Sequence, residues 1–337
     1  MASTQPPQKP RVSIGLPVYN GERYLTRALD SLLSQTFHDF ELVISDNCSD
    51  DATEDICRRY AEQDPRIVYI RQEKNHGSCA NFNFVFAESQ GEYFKWAAYD
   101  DLCEPEYLEE CVRVLDEHPE VVCCHTDSDR IDEHDQSWLD AVDPGQADFV
   151  REQDGQLKWV GHPRRHHDDA DPARRFHGVL LGTTWSVDSY GLIRSSALQK
   201  TMLFGAYYGS EKVLMGELAL LGPYYHVPRL LFAQRIHDEA SSNLGSAQFQ
   251  AAFATGDKQK PFASTRLSLL GGHFRATLRA KLTPWQRCRC WGVLLCYLMQ
   301  PKKWKRVWSS VMGGQGVGGD GVDAMLKDRE LMQETST

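Results

Sequence analysis

The sequence predicts an α/β fold in which a Rossmann-like, mostly parallel sheet carries helices on both faces. Two features of residues 11–130 support this prediction. Short apolar runs of strand length alternate with segments whose apolar residues recur at helical spacing. Polar residues follow each apolar run. Strands that alternate with helices of this length imply βαβ crossovers, which make the strands parallel and cover both faces of the sheet.

The first unit is an apolar run at 12–16 that ends at Pro17 and is followed by a helical pattern. Three more units of the same kind follow, and a fifth strand ends the series. The predicted strands are 12–16, 40–45, 66–71, 92–98 and 121–126, and the predicted helices are 24–33, 52–63, 80–89 and 105–118.

The charge balance argues against a nucleic-acid partner. The chain has 337 residues, with 37 Lys and Arg against 47 Asp and Glu, which gives a formal net charge of -10. A protein that binds nucleic acid through a broad surface is basic. The hydrophobic share of 41% is ordinary for a globular protein, and the length suits about two domains.

The sequence also predicts a cytoplasmic location. The first residues lack the cationic start and apolar run of a secretory signal. The longest uncharged apolar run in the C-terminal third, at 290–301, is far shorter than the ~20 residues of a spanning helix. None of the ten cysteines forms a C-x-x-C pair, so we expect reduced, mostly buried thiols. Cys288, Cys290 and Cys296 are a weak metal candidate.

In parallel sheets, ligands bind beyond the carboxyl ends of the strands, and in this chain those ends are polar. Single Asn, Asp, Ser and Gly residues there are explained as turn and helix-cap residues. The pair Asp100 and Asp101 is not, because two adjacent carboxylates repel each other. A bound cation is the simplest reason to tolerate them.

Four segments together resemble the nucleotide-sugar-binding half of a family 2 inverting glycosyltransferase with the GT-A fold. They are VSIGLPVYNGERYLTRALDSLLSQTF, ELVISDNCSDDAT, KNHGSCAN and GEYFKWAAYDD, in that order over roughly the first 130 residues. One such segment alone would carry little weight, whereas four in order and at the expected spacing are specific.

The resemblance implies a donor site at the strand ends. Tyr19 would stack on a pyrimidine ring, and Asp46 would accept the N3–H of uracil. Both roles favour a UDP-sugar or dTDP-sugar donor. The predicted donor-site residues are Pro17, Tyr19, Asn20, Glu22, Asp46, Asn75, Asp100 and Arg235.

The resemblance also implies a Mg²⁺ or Mn²⁺ cofactor. Asp100 and Asp101 resemble the DXD-type motif of the family, and His237 lies in a segment similar to its R-x-H loop. Arg235 and His237 are two residues apart, so in an extended chain they face the same side. Many relatives carry an acidic residue where this chain has Ala98, which leaves open that Asp101 is the only direct ligand.

Inversion requires a carboxylate that takes the proton of the acceptor hydroxyl from the face opposite the leaving diphosphate. Glu211 resembles the family's acidic residue before a helix and is the first candidate, although a first-turn Glu is also favoured by the helix dipole. Asp188 is the second candidate. Glu217, in the middle of the same helix, is the third and is expected to be structural.

Residues 132–171 are rich in Asp, Glu, His, Gly and Pro, as in an acceptor-side loop. Its cluster of His162, His166, His167 and Asp168 invites a zinc interpretation. No nearby Cys or His pair completes a four-ligand pattern, so a solvated polar loop is the favoured prediction.

The C-terminal part differs in character. Residues 258–319 contain twelve Lys and Arg, no Asp or Glu, and interleaved tryptophans. Such a segment is typical of a helix on an anionic membrane surface, and an ordinary cationic face docked on the acidic domain is an equal alternative. A membrane role would make the protein peripheral at the inner face of the membrane.

The predicted organisation is a disordered N-terminus at 1–10, a nucleotide-sugar half at 11–130, an acceptor-binding half at 131–257, a basic helical extension at 258–312 and a flexible tail at 313–337. The predicted activity is metal-dependent, single addition of a sugar to a hydroxyl of a glycan or glycolipid. A noncatalytic nucleotide-sugar-binding protein is the alternative, and a nucleotidyltransferase is a weaker one, because PVYNGERY is no Gly-rich phosphate loop.

Overall fold

A computed structural model describes residues 9–137, 150–153, 156–159, 167–182, 187–238, 247–257 and 265–299. The predicted tail at 313–337 and most of the predicted N-terminal segment lie outside the described residues. The strands are β1 (Val12–Val18), β2 (Phe40–Asp46), β3 (Ile67–Arg71), β4 (Tyr93–Trp96), β5 (Leu102–Cys103), β6 (Cys123–Ile131), β7 (Val150–Gln153), β8 (Gln156–Trp159), β9 (Leu192–Arg194) and β10 (Tyr224–Arg235). The helices are α1 (Leu25–Leu33), α2 (Thr53–Gln63), α3 (Ser78–Ala87), α4 (Tyr107–Glu117), α5 (Pro172–Gly182), α6 (Ser195–Leu198), α7 (Glu211–Leu221), α8 (Ala247–Thr255), α9 (Thr265–Arg279) and α10 (Pro284–Leu298).

The five predicted strands and four predicted helices of the first 131 residues are all present. Eight strands form one sheet in the order β3-β2-β1-β4-β9-β6-β10-β5. The pairs β3/β2, β2/β1, β1/β4 and β6/β10 are parallel. The predicted α/β class and the mostly parallel sheet are therefore confirmed.

Two short strands of this sheet were not predicted, and both run antiparallel to their neighbours. β9 lies between β4 and β6 and pairs with both, and β5 borders β10 at the edge of the sheet. β9 has three residues and β5 has two, so neither has enough length to show an apolar period. β9 joins the β10 side of the sheet to the β1 side. The strands β7 and β8, which form a separate two-stranded sheet, were not predicted either.

Helices cover both faces, as predicted. On one face α1, α2 and α4 pack through residues such as Leu29, Ile56 and Leu108. On the other face α3, α5 and α7 pack through residues such as Val85 and Leu214. All seven residues of β1 are buried because both of its faces are covered.

The predicted helical extension is confirmed for its described part, where α9 and α10 pack against α5 and α7. Phe176, Ala276 and Leu294 belong to their shared apolar cluster. α10 begins with a capping box in which Thr283 Oγ1 accepts from Gln286 N at 3.2 Å and Gln286 Oε1 accepts from Thr283 N at 2.9 Å. The described residues contain no helix that is both long and apolar enough to cross a membrane.

All ten cysteines are free thiols, as expected. Seven of them are buried, Cys290 among them, whereas Cys288 and Cys296 are exposed. The α10 cysteines therefore point to different sides of their helix and do not gather around a common point.

Candidate functional site

The predicted site residues meet at one edge of the sheet. The carboxyl ends of β1, β2, β4 and β10 all lie at this edge. β1, β2 and β4 are linked by parallel pairings. β4 and β6 both run antiparallel to β9, and β10 is parallel to β6, so β10 has the same direction as β1. Tyr19, Asp46, Asp100 and Arg235 occupy those ends or the residues that follow. This is the position at which α/β sheets bind ligands.

Asp100, Asp101, Arg235 and His237 form one hydrogen-bonded cluster. His237 Nε2 lies 2.9 Å from Asp100 Oδ2. Asp101 Oδ1 accepts from the Arg235 backbone N–H at 2.9 Å, and Arg235 Nε donates to the Asp100 carbonyl at 2.8 Å. The segment after β10 is therefore fixed to the acidic pair, in agreement with the predicted grouping of these residues.

Tyr24, which the sequence places only on the buried face of a helix, packs under this cluster. Its ring centroid is 4.8 Å from that of His237 and 4.8 Å from the Arg235 guanidinium carbon. Arg235 also donates from Nη1 to the Asp132 carbonyl at 2.6 Å and pairs with Asp135. The 132–135 turn thus holds the arginine from the far side.

Asp101 is the deeper of the two carboxylates, with 6% of its surface exposed. Burial, with a further contribution from Asp100, raises the pKa of Asp101 well above its usual range, and Arg235 and Lys95 oppose that rise. Lys95 lies in β4 and is 1% exposed. Its ammonium donates to the Tyr190 carbonyl and lies 4.4 Å from the Tyr107 ring centroid. Lys95 is not among the predicted site residues, although a lysine in a strand predicted to be buried on both faces is a signal for a buried cation.

The donor set of this cluster fits a divalent metal ion of the Mg²⁺ or Mn²⁺ class. Asp100 Oδ2 and His237 Nε2 lie side by side, and Asp101 supplies a second carboxylate on the next residue. One or two carboxylates with phosphate and water are typical ligands of such ions. The structure brings Asp100, rather than Asp101, against His237, and one Asp101 oxygen is engaged by the Arg235 backbone.

The loop after β1 is fastened to the loop after β2 and leaves one aromatic ring exposed. Asn20 exchanges two hydrogen bonds with Asp50, at 2.6 and 3.0 Å. Glu22 Oε2 accepts from Ala52 N at 2.9 Å, at the start of α2. Tyr19 is 43% exposed. Asn20 and Glu22 thus hold the loop in place, and Tyr19 presents a ring face to solvent.

Asp46 is fully buried at the end of β2. Its Oδ1 accepts from Ser49 N at 2.8 Å, and its Oδ2 accepts from the Tyr69 hydroxyl at 2.9 Å. Burial and the Asp46 carboxylate raise the pKa of Tyr69, so this hydroxyl keeps its proton and donates it. Asp46 can serve a further donor only by sharing an oxygen.

The loop after β3 is joined to the same edge by amide contacts. Asn47 Nδ2 donates to Asn75 Oδ1 at 3.0 Å, and Asn47 Oδ1 accepts from His76 N at 2.9 Å. Gly77 follows with a φ of 84°. A Cβ built on Gly77 would lie 2.3 Å from the Thr255 carbonyl carbon, so α8 closes directly over this loop.

Glu211 is the first residue of α7, as predicted. Burial raises the pKa of its carboxyl group, against a lowering by Lys212. Burial also raises the pKa of Tyr190, and the charges of Asp101, Asp100 and Glu211 raise it further. Tyr190 therefore lies within electrostatic range of both the acidic pair and Glu211.

The other two carboxylates proposed from the sequence have different surroundings. Asp188 is 2% exposed and faces His125 and His167. Glu217 is 5% exposed, accepts from Met202 N at 2.8 Å and pairs with Arg279. Its structural role was expected.

His167 corrects one expectation. A solvated loop was predicted for this histidine, but it is 5% exposed, and its ring packs edge-on against Tyr224 with centroids 5.1 Å apart. Asp168 is exposed as predicted, while His162 and His166 lie outside the described residues. The sequence around His167 is polar because this segment connects secondary-structure elements. The His167 side chain nevertheless points inward, where it packs against residues distant in the chain.

The sheet order, the helices on both faces and the polar strand ends define a GT-A-type α/β fold. Crystal structures of S. aureus TarS share it: the form with UDP aligns over 89% of this chain and 74% of its own, with a TM-score of 0.58 and 16% identity. The form with UDP-GlcNAc aligns over 86% and 71%, with a TM-score of 0.58 and 18% identity.

Sequence comparison indicates a family. Residues 13–170 match the family model of glycosyl transferase family 2. An uncharacterized glycosyltransferase of Rickettsia typhi is 38% identical over 106 residues, 32% of each chain. Glycosyltransferase GlyA of Streptococcus pneumoniae is 36% identical over 108 residues, 32% of this chain and 15% of that one. The matched segment therefore spans about a third or less of these relatives.

Proposed function

We propose that this protein is a metal-dependent inverting glycosyltransferase. It would move one sugar from a UDP-sugar or dTDP-sugar to a hydroxyl of a glycan or lipid-linked acceptor. The observation that carries the proposal is the Asp100–His237 contact at the ligand-binding edge. The family 2 match over residues 13–170 supports the same reaction.

In the proposed donor site, Tyr19 binds the nucleobase. The cluster of Asp100, Asp101, Arg235 and His237 binds the diphosphate. Tyr19 is an exposed ring at the strand edge, and an aromatic face accepts a pyrimidine by stacking. Asp46, Asn75 and the other residues of the 17–22 loop would line the rest of this donor site. TarS, which shares the fold, is crystallised with UDP and with UDP-GlcNAc, and this supports a uridine donor.

Asp100, Asp101 and His237 would hold the metal ion, which when bound offsets the negative charge that develops on the leaving diphosphate. Arg235 holds the two aspartates in place through its backbone N–H and its guanidinium. Tyr24 supports Arg235 and His237 from below. These contacts fix the donor side before the acceptor arrives.

Glu211 would take the proton. The acceptor oxygen forms a bond to the anomeric carbon from the face opposite the diphosphate, the bond from that carbon to the phosphate oxygen breaks, and the hydroxyl proton passes to the Glu211 carboxylate. Its raised pKa makes Glu211 a stronger base than an exposed glutamate. Asp188 stays the second candidate for this role, but its carboxylate is directed at two histidines.

The C-terminal helices support a second part of the proposal, contact with an anionic membrane surface. α10 buries Cys290, Val293 and Leu294 against the protein, which agrees with a docked helix. Its opposite side exposes a stripe formed by Trp285, Trp291, Leu295 and Met299. The Phe274 ring of α9 stacks on Trp291 with centroids 5.9 Å apart, which extends the stripe to α9. We refer to these five residues as the apolar stripe.

The basic composition of residues 258–319 complements anionic lipid. An apolar stripe on a segment of basic composition is expected to lie in the headgroup region rather than across the bilayer. A lipid-linked acceptor would then reach the enzyme from the same surface.

The test is a transfer assay on the full chain with a panel of UDP- and dTDP-sugars, with and without Mn²⁺. Donor hydrolysis serves as the readout where no acceptor is known. Asp101→Asn and Glu211→Gln should each lower turnover by a factor of about 100 or more, and GDP-sugars should be poor donors. Asp188→Asn is assayed beside them to separate the two proposed bases.

Donor binding without turnover on any acceptor or water would contradict the proposal and would indicate a noncatalytic nucleotide-sugar-binding protein. Wild-type turnover in Asp101→Asn or in Glu211→Gln would remove that residue from its role. If purine nucleotides raise the Tm of the protein and pyrimidine nucleotides do not, the assignment of Tyr19 and Asp46 to a pyrimidine base is wrong.

A further inference from the structure

Two histidines and an aspartate converge inside the protein, and none of them belongs to the Asp100–His237 pair. His125 lies on β6, His167 lies just before α5, and Asp188 lies in the 3-10 turn Val187–Tyr190. Their possible ligand atoms all lie within 4.8 Å of one another. We propose that these three side chains bind a Zn²⁺ ion, at a site separate from the proposed transferase metal and independent of that function.

The distances between the three side chains are compatible with ligands around an ion. His125 Nδ1 is 3.6 Å from Asp188 Oδ1, and His167 Nδ1 is 3.5 Å from Asp188 Oδ2. Zinc bonds of about 2.0 to 2.1 Å place two tetrahedral ligands about 3.4 Å apart. Each gap is close to this value, but the two gaps run to different oxygens of Asp188, so ion binding would turn the carboxylate and draw the ligands together from their present limit of 4.8 Å.

The cluster is buried, which gives an ion a clear energetic role. The exposed fraction of the side chain is 3% for Asp188, 5% for His167 and 13% for His125. A buried carboxylate is stabilised by charge compensation. A dication between the carboxylate and two neutral imidazoles would add to the compensation that Asp188 already receives from its neighbours.

The surrounding contacts hold the three side chains in place. The backbone carbonyl of His167 accepts from Tyr224 N at 2.8 Å. The carbonyl of Asp188 accepts from Gly191 N at 3.0 Å. The His125 ring stacks on His226 with centroids 5.1 Å apart. A site whose ligands are fixed by packing loses little entropy when the ion binds.

The donor chemistry is typical of zinc. Two imidazole nitrogens and one carboxylate oxygen are typical zinc ligands, and three protein ligands leave a fourth position for water. The proposed transferase metal has two carboxylates and one imidazole instead, a more oxygen-rich set that suits Mg²⁺ or Mn²⁺ with phosphate and water. The ion would tie β6 to two segments more than 40 residues further along the chain, which brings the acceptor-side half of the protein together. Stabilisation is therefore the expected effect.

The test measures metal content and stability rather than activity. Untagged full-length protein is stripped with a chelator, dialysed and titrated with Zn²⁺. Wild type should retain about one equivalent of Zn²⁺ per chain, and its Tm should rise with Zn²⁺ because the ion binds the folded state. Substitution of Co²⁺ should give the visible absorption of a tetrahedral site.

His125→Ala, His167→Ala and Asp188→Asn should each lose the bound zinc, the cobalt absorption and the Zn²⁺-dependent rise in Tm. The surface variant His118→Ala and the Asp101→Asn variant should retain all three, which separates this site from the proposed transferase metal. Absence of zinc uptake by stripped wild type would overturn the proposal, and so would zinc uptake that survives all three ligand substitutions. The wild-type measurement decides the matter even if a ligand variant fails to fold.

Discussion

The Nε2 atom of His237 lies 2.9 Å from Oδ2 of Asp100, although the two residues are 137 positions apart. The contact connects the segment that follows β10 to the segment that follows β4, two strands that are not neighbours in the sheet. Packing of Tyr24 against His237 and Arg235 stabilises this connection. An imidazole and a carboxylate so placed can share one cation, and this gives the first prediction.

Replacement of His237 by alanine should weaken the response to Mn²⁺. We expect the Mn²⁺ concentration for half-maximal donor turnover to rise by about tenfold or more, because the loss of a ligand or its immediate neighbour typically costs 10–100-fold in metal affinity. The measurement is the initial rate of donor turnover against Mn²⁺ concentration. His38→Ala, which alters an exposed histidine, is the matched control. An unchanged Mn²⁺ curve for His237→Ala would exclude the residue from the metal site.

Glu211→Gln should stabilise the protein at neutral pH while it abolishes turnover. Burial raises the pKa of Glu211 in the folded state, so the folded protein binds this proton more tightly than the unfolded chain does. Below the pKa that Glu211 has in the unfolded chain, its carboxyl group is neutral in both states. At such pH values ionisation makes no difference to the free energy of unfolding between wild type and Glu211→Gln. As the pH rises towards the folded pKa, the unfolded chain ionises first and the wild type loses stability. The glutamine variant avoids that loss.

The check is urea unfolding of wild type and Glu211→Gln from pH 4 to pH 8. The difference in the free energy of unfolding should grow with pH and then level off above the folded pKa. Glu62→Gln, on the exposed side of α2, controls for the removal of one negative charge. A difference that is constant over the whole range would show that the folded and unfolded pKa values are the same.

Lys95→Met should destabilise the fold. The buried ammonium donates to the Tyr190 carbonyl, and its charge counters the rise in the pKa of Asp101. The substitution removes a hydrogen bond from a charged donor, which is worth about 1.5 to 3 kcal/mol. The Tyr107 hydroxyl still donates to the same carbonyl at 3.0 Å, so the carbonyl keeps one partner. The free energy of unfolding from urea titration is the readout, with Lys74→Met as the exposed control. Equal stability of the two variants would mean that Lys95 is dispensable to the core.

The sequence predicts the repeated part of this fold well and the inserted part poorly. β1 to β4 and their helices follow from local periodicity, because each apolar run packs in the same environment. β9 is a three-residue strand that enters the sheet from a distant part of the chain, and no local pattern marks it. Likewise, the partners of His167 are Asp188 and Tyr224, and only tertiary packing brings them together.

In the candidate site, too, some residues could be predicted from the sequence and others depend on tertiary packing. Asp100, Asp101, Arg235 and His237 could be grouped in advance because the family resemblance supplies their relative positions. Tyr24 and Lys95 could not, since a buried tyrosine on a helix and a lysine in a strand have no fixed meaning until their neighbours are known. Glu22 shows the reverse case: it was expected at the donor, and the structure engages its carboxylate at the start of α2.

Gly77→Ala should be among the more damaging small substitutions. Its φ of 84° is strained for any residue with a side chain, and a Cβ there would meet the backbone at Thr255. We expect a loss of about 1 to 3 kcal/mol in the free energy of unfolding, together with weaker donor binding through the Asn75 loop. Gly292→Ala is the matched control, because its Cβ has no atom within 4 Å and alanine favours a helix. It should be neutral or stabilising, and similar losses in both would contradict the close approach.

The apolar stripe should control attachment to anionic vesicles. The double substitution of Trp285 and Met299 by serine removes side chains that are 72% and 73% exposed, so it should leave the fold intact. Binding to vesicles that contain phosphatidylserine should fall by about tenfold or more, since burial of one large apolar side chain is worth about 2 kcal/mol. Sedimentation with vesicles measures the bound fraction. Met202→Ser, at a residue 64% exposed but outside the stripe, is the matched control.

Binding of wild type should also weaken as salt is raised, because the basic segment is screened. If wild type binds neither kind of vesicle, the membrane assignment is wrong and the stripe has another occupant, such as a second copy of the chain. Equal binding to neutral and anionic vesicles would show that the basic segment does not select anionic lipid.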